Sequence, residues 1–387
     1  MNKAELFEWI DAQTEELTAL AYRIFDNPEY GLEERFASKL LQDRLSAEGF
    51  EVEAGLAGLE TAFRAVWSNG QGGPNIGILC EYDGVRGMGH ACGHHLQGPA
   101  AIGAAAALKR ALAGTDARCT VTVYGTPAEE TVGGKILMAE DGCFQELDAA
   151  LCTHAIQDVS FVGGQSLALA PFRVTFRGKS AHASGAPHEV RSAMDAMLLA
   201  FNGIEFMREH VKDGTRISYN IAAGTGPFGQ DPSQARASVS LRTYEEGYLA
   251  ELERRLRNII AGACLMTDTE ADIESRPVYA VRKPNAVLAE LARANMRLAG
   301  VAHIAGDFRS SGGSTDFGNV SRLVPGALVY LEFLDAPAHS KAWVDAGKTQ
   351  AAQRCLLYCA KTVAGIAYDL IYEPQALAAA KQAFACD

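Results

Sequence analysis

Asn75-Ile-Gly-Ile-Leu-Cys-Glu-Tyr-Asp83, followed by Met88-Gly-His-Ala-Cys-Gly-His-His-Leu96 and an alanine-rich run from Gly98 to Leu112, is the stretch on which the fold turns. Residues 75–81 are almost wholly apolar, as a strand buried on both faces requires. The alanine-rich run reads as a helix. Between them, Cys92 and His94 stand two residues apart, with His90 and His95 on either side. A thiolate and an imidazole this close suit a borderline-soft divalent metal. The flanking glycines let the backbone bend so that both side chains reach one ion.

The same alternation continues outward. Residues 3–24 and 33–48 carry apolar positions at helical spacing, broken by Asn27-Pro-Glu-Tyr-Gly31. Strands are expected at 61–67, 120–124, 149–154 and 327–331, with helices from Lys135, over 284–298 and over 345–370. Strands alternating with helices predict an α/β domain with a mostly parallel sheet, whose function sits at the strand ends. After Gly164 the order changes to strand 172–176, helix 189–210, strands 216–222 and 237–242, helix 247–264 and strand 270–274. That β-α-β-β-α-β order predicts a ferredoxin-like split βαβ module inserted in the α/β domain. The expected division is 1–170 and 278–387 for the α/β domain and 171–277 for the insert.

Composition narrows the function classes. The chain has 387 residues, 48% hydrophobic and 21% charged, with a net charge of −12. An acidic chain argues against a nucleic-acid surface, since phosphate backbones select basic patches. No apolar run approaches the ~20 residues a bilayer-spanning helix requires, so no membrane partner is expected. The acidic, amphipathic start Met1-Asn-Lys-Ala-Glu-Leu-Phe-Glu-Trp-Ile10 is unlike a secretory signal. Nine scattered cysteines suggest no disulfide framework. A reducing, cytoplasmic setting is expected, in which Cys92 serves as a ligand.

Ligand-type residues recur at the ends of the expected strands. Glu129-Glu130 follows strand 120–124, His154 ends strand 149–154, and His339 in Ala336-Pro-Ala-His-Ser340 follows 327–331. An isolated Glu-Glu pair is usually an acidic loop, and a lone histidine on a strand is usually part of a core. Several strand ends carrying such residues point to one site. Neighbouring carboxylates face different ways, so one can ligate a metal while the other holds a water.

Taken together, these motifs resemble the di-metal aminoacylase and carboxypeptidase family of hydrolases. The nearest branch is its cysteine-containing amidohydrolases, which include hippurate, indole-acetyl-amino-acid and aminobenzoyl-glutamate hydrolases and related dipeptidases. The resemblance runs through Asn27-Pro-Glu-Tyr-Gly31, Glu81-Tyr-Asp83, Gly89-His-Ala-Cys-Gly-His94, Thr126-Pro-Ala-Glu-Glu130, Gly178-Lys-Ser-Ala-His182 and Gly313-Ser-Thr-Asp-Phe-Gly-Asn-Val320. It implies two divalent ions per chain, zinc or manganese first and cobalt or nickel next, on Cys92, His94, Glu130, His154 and His339. It implies Glu129 as general base, Asp83 as an acidic neighbour that orients a ligand, and His182 of the insert as a group that reaches the active site. The implied activity is hydrolysis of the amide bond of an N-acyl amino acid or dipeptide-like small molecule. The implied architecture adds a lid and homodimerisation role for the insert.

Two departures from the family pattern stand out. His95 replaces the usual Asp or Asn after His94, as an additional ligand or as a spectator. The insert lacks the usual Asn that contacts a substrate carboxylate: aligned on Pro232, that position is Gly229, with Gln230 and Asp231 next to it. Either Gln230 supplies the amide from a shifted loop, or Arg236 or Arg191 supplies a charged contact, or the clamp is weakened. Two other function classes compete with this reading. A dipeptidase or carboxypeptidase on short peptides fits the same residues, whereas a non-catalytic member of the fold would have lost Glu129 or ligands. The His-x-Glu and Pro-Cys-x-x-Cys pattern of the zinc deaminases is absent.

Overall fold

The computed structural model describes residues 1–224, 231–306 and 312–386. The strands are β1 (Glu51–Ala54), β2 (Phe63–Asn69), β3 (Asn75–Cys80), β4 (Cys119–Gly125), β5 (Ala149–Ile156), β6 (Phe161–Val162), β7 (Ala168–Arg177), β8 (Arg216–Ala223), β9 (Gln234–Thr243), β10 (Glu270–Ser275) and β11 (Gly326–Glu332). The helices are α1 (Lys3–Ala12), α2 (Thr14–Asp26), α3 (Arg35–Ala47), α4 (Gln97–Leu112), α5 (Gly134–Glu140), α6 (Ala193–Arg208), α7 (Glu246–Thr267), α8 (Ala286–Leu298), α9 (Phe317–Val320), α10 (Lys341–Ala346), α11 (Gln350–Tyr372) and α12 (Pro374–Cys386). The chain divides into two units, Met1–Ser166 with Arg282–Asp387, and Leu167–Val281.

The first unit is built on a seven-stranded sheet in the order β1-β2-β4-β3-β5-β11-β6. Its centre, β4-β3-β5-β11, is parallel, and β1, β2 and β6 add antiparallel edges. β3, β5 and β11 are buried along almost their whole length, which explains their unbroken apolar runs. The chain leaves β3 through α4 to β4 on one side, then passes to β5 on the other. β3 is therefore the point where strand order reverses, the place where open α/β sheets bind ligands. One core cluster joins the sheet to α1, α2, α4, α8 and α11. A smaller one holds Tyr124, Phe144, Phe161, Phe317 and Tyr330 against Ala150, Cys152 and Leu328.

The second unit has the order β7-α6-β8-β9-α7-β10 and an antiparallel sheet β10-β7-β9-β8. β9 alternates exposed and buried residues along most of its length, the pattern of a sheet with one face on helices. That face packs on Met197, Ile204, Leu252, Leu256 and Ile260.

The structure corrects several expectations. The second unit starts four residues earlier and ends four later than 171–277. The missed start is β7 continuing back through Pro171. The Pro171 carbonyl faces Arg276 N, beyond the β10 ladder, so the missing N–H on that side breaks no strand pairing. Helix 189–210 is shorter: Pro187–Glu189 forms a 3-10 turn, and Ser192 caps α6 by accepting from Asp195 N at 3.2 Å. Helix 345–370 is two helices broken at Gly347-Lys348-Thr349, and α12 follows. Contrary to the reading of apolar runs, α11 is long and apolar enough to cross a membrane by length and composition. Most of it is buried in the fold, packed on α4 and α8, as a core helix is. All nine cysteines are free thiols.

Candidate metal centre

The ligand-type residues converge at the carboxyl edge of the parallel strands. Three overlapping groups have donor atoms within 4.8 Å of one another: Cys92–His94–His154, Cys92–Glu130–His339 and His94–Glu129–Glu130. All five expected ligands and the expected base thus lie in one cluster of the first unit.

Local backbone geometry explains the convergence. Gly93 has φ +82, and a Cβ there would stand 3.0 Å from the Ala155 Cβ, so glycine alone lets the Cys92–His94 turn close against β5. His94 and His95 then open a single 3-10 turn into α4 and diverge. The His94 ring meets His154 edge-on at 5.3 Å, and Cys92 Sγ lies 3.4 Å from His154 Nε2. Ala128 (φ 63) and His339 (φ 58) hold left-handed conformations that cost non-glycine residues energy. Ala128 is fixed there because its N–H donates to Glu34 Oε1 at 2.9 Å, while its carbonyl accepts from Val132 and Gly133. Glu34, fully buried, also accepts from Thr61 Oγ1 at 3.1 Å.

Asp83 contacts two of the expected ligands. Its Oδ1 lies 3.0 Å from His94 Nδ1 and its Oδ2 accepts from Glu130 N at 2.9 Å. His94 Nε2, fully buried, lies 3.2 Å from Glu81 Oε2 without a hydrogen bond to it. A buried ring nitrogen left without a hydrogen-bond partner, among a thiol, a second imidazole and carboxylates, fits a divalent cation. Glu130 Oε1 lies 3.1 Å from His339 Nε2.

Electrostatics separate the two glutamates. Burial, then the neighbouring Glu81, Asp316 and Glu130 carboxylates, push the Glu129 carboxyl well above the ordinary range. Burial also opposes the charge of Glu130, but His339 and His94 outweigh it and hold Glu130 at about 2. Burial raises the Cys92 thiol despite the pull of His94. Burial disfavours the His94 imidazolium, yet Cys92, Glu81 and Asp83 together carry it well above the ordinary histidine value.

His95 does not join the cluster. Its Nε2 lies 2.9 Å from the Gly347 carbonyl, and its ring packs against Phe25 and His90. His90 likewise turns away, to the Ile24 carbonyl at 3.1 Å. His182 and Arg236 are carried by the second unit. His182 is exposed, and its Nδ1 accepts from Ser184 N and Gly185 N, which leaves the ring proton on Nε2. Arg236 is an exposed β9 residue, and Arg191 is engaged with Asp268 at 2.6 Å. Gly229 and Gln230 lie outside the described residues.

Sequence reasoning gave no role to a second layer of buried polar groups. Gln97 donates to Glu81 Oε2 at 2.7 Å and accepts from Glu81 N. Lys135 Nζ lies 2.6 Å from both Glu81 Oε1 and Asp316 Oδ1. Glu81, Glu129 and Asp316 form a fourth group of carboxylates within 4.8 Å. Glu81 and Asp316 stand inside motifs that carry the family resemblance, which was the available signal; Lys135 carried none.

Residues 74–358 match the family described as peptidase family M20/M25/M40. The chain belongs to this family. It is 34% identical to the Xaa-Arg dipeptidase of Mus musculus over 99% of this chain and 92% of that protein. It is 33% identical to a p-aminobenzoyl-glutamate hydrolase subunit of Escherichia coli over 73% of this chain and 63% of that one. Its fold is similar to that of a dinuclear metal binding M20 peptidase from Bacillus subtilis, with TM-score 0.64 and 19% identity, covering 90% of this chain and 98% of that one. The chain is a hydrolase of amide or peptide bonds.

Proposed function

We propose that this M20 hydrolase cleaves the amide bond of an N-acyl amino acid or a dipeptide-like small molecule, with Glu129 as the proton carrier. The observation that carries this is the sharing of one cluster by Glu129 and the five ligand-type residues Cys92, His94, Glu130, His154 and His339. The similar dipeptidase and aminobenzoyl-glutamate hydrolase support the substrate class. The five ligands would hold two divalent cations, zinc or manganese first, with cobalt or nickel also suited to a mixed N, O and S set. Such ions polarise an amide carbonyl and acidify a water.

Glu129 takes the proton of the attacking water and returns it to the leaving nitrogen, because an amide nitrogen leaves only when protonated. Its raised proton affinity suits both halves of that transfer. Glu130, held as a carboxylate, is suited to ligation instead. Asp83 fixes His94 and the Glu130 backbone before substrate arrives. We infer that His182, with its proton on Nε2, is a donor for the developing oxyanion. We infer a homodimer through that unit, whose edge strand β8 exposes Ile221 and whose helices expose Phe206, Leu265 and Met266. Nine free thiols, one of them a ligand, favour a reducing, cytoplasmic compartment.

The test is a hydrolysis screen of acyl-amino acids and dipeptides on protein reconstituted with each metal, run beside His182→Ala. Turnover of one of these classes, with kcat reduced and metal content unchanged in His182→Ala, is expected. No hydrolysis of any member with full metal occupancy refutes the substrate class.

A further inference from the structure

Lys135 is completely buried on the first turn of α5, and the proposed reaction has no step for it. Its ammonium lies 2.6 Å from Glu81 Oε1 and 2.6 Å from Asp316 Oδ1, and its backbone N–H donates to Asp316 Oδ2 at 3.0 Å. Gln97 and His94 flank the other Glu81 oxygen at 2.7 and 3.2 Å. Glu129 completes the group, with Glu81, Glu129 and Asp316 oxygens within 4.8 Å of one another. Two buried carboxylates and the half-buried Glu129 at this spacing make an all-oxygen cation site, the kind that hard divalent ions select. An ammonium already stands between two of them.

We propose that Lys135 is a built-in cation that fills the Glu81–Glu129–Asp316 carboxylate group and so keeps Glu129 out of metal coordination. Three features of the chemistry carry this. Glu129 belongs to two groups at once, one with His94 and Glu130 and one with Glu81 and Asp316. A divalent ion admitted to the second would draw Glu129 in as a ligand, and a carboxylate bound to metal cannot shuttle a proton. An ammonium answers the negative charge without offering open coordination positions, and it is tethered so that it cannot leave. Its two ion pairs also join the end of β3 to the start of α9, holding Glu81 and Asp316 turned toward Nζ. Lys135 is thus a positioning residue, acting through the carboxylates it holds.

The inference rests on Glu129 as proton carrier, and its primary readout is metal stoichiometry, which does not depend on turnover. Parent protein and Lys135→Met are saturated with Mn2+, freed of excess metal and measured by elemental analysis. Lys135→Met is expected to retain one more ion per chain than the parent, and Lys135→Met/Asp316→Asn to lose that extra ion. In Lys135→Met kcat is expected to fall at least ~10-fold, a modest part of the ~10²–10⁴ that general acid–base catalysis supplies, with KM changed less, and in the double variant, where no extra ion captures Glu129, to recover toward the parent. If Lys135→Met does not fold, Lys135→Gln, whose amide still reaches the carboxylates without a charge, carries the ion count. A merely structural lysine gives a reduced kcat that the double variant does not recover, and that result overturns the proposal. So does a folded Lys135→Met with parental stoichiometry. Glu129→Gln in the parent background separates the two readings: an active Glu129→Gln defeats the proposed function, whereas the ion count addresses Lys135 by itself.

Discussion

Replacing Asp83 by Asn tests whether one carboxylate sets the geometry of two ligands. The side chain keeps its size, but one of its two acceptor oxygens becomes an NH2 donor. In the structure both oxygens face nitrogens, His94 Nδ1 at 3.0 Å and Glu130 N at 2.9 Å. Whichever way the amide turns, a donor meets a nitrogen, and one buried contact is lost. Losing a hydrogen bond to a charged group costs ~1.5–3 kcal/mol. Outer partners of metal ligands are worth about 10–100-fold in metal affinity, which is about 1.4–2.7 kcal/mol at 1.36 kcal/mol per decade. The two ranges agree, so Asp83→Asn is expected to weaken metal binding by ~10–100-fold. Competition against a chelator of known affinity measures it, with circular dichroism confirming a folded variant. A folded Asp83→Asn with parental metal affinity refutes the view that Asp83 prepares the site.

Other consequences concern protons and substrate. Cys92, His94 and His339 all bind their protons more tightly than free side chains do, Cys92 through burial, His94 through Cys92, Glu81 and Asp83 despite burial, and His339 through Glu130. Ligation needs these groups deprotonated, so metal binding at neutral pH should release protons and weaken as pH falls; titration calorimetry in buffers of different ionisation enthalpy detects the release, and zero release contradicts the assignment. Burial holds the His95 imidazole at about 4, below its ordinary 6.5. A depressed value means stability present above 6.5 that is lost as pH falls toward 4, about 3 kcal/mol at most. Urea unfolding of the metal-free protein between pH 7 and 4.5 should show a shallower loss in His95→Asn; equal slopes contradict it. If the alignment on Pro232 places Gly229 where the family's carboxylate-binding Asn stands, an acyl-amino acid and its primary amide should be cleaved with similar kcat/KM. A preference of ~10²-fold for the free acid, about one charge-assisted hydrogen bond, means another group completes the clamp.

The parts of the site legible in the sequence are those written on strand ends. Apolar strands expected to end at Glu81, Tyr124, His154 and Leu331 place the residues beside them on one edge, although β5 runs two residues further, to Ile156, and carries His154 within it. What the sequence hid is tertiary. Glu34 is 94 residues from the Ala128 amide it binds, and Asp316 is 181 residues from Lys135. A lysine at the start of a helix reads as a solvated residue, and only the packed fold buries it. His95 was ambiguous because adjacent residues on a 3-10 turn point apart, and sequence alone does not say which of them faces the metal. β1, mostly exposed with charged Glu51 and Glu53, lacks the apolar alternation that marks a strand; pairing with β2 makes it one. Pro171 shortened the expected β7 for a reason that holds only where a partner strand continues.

The central claim is the division of labour between Glu129 and Glu130, which carry the same side chain one residue apart. The deciding measurement is kcat together with metal content for Glu129→Gln and Glu130→Gln, each reconstituted alongside the parent. Glu129→Gln is expected to lose at least ~10²-fold in kcat with parental metal content, the scale of a missing general base. Glu130→Gln is expected to lose metal and activity together. Glu129→Gln losing metal while Glu130→Gln keeps it would reverse the two roles and contradict the account.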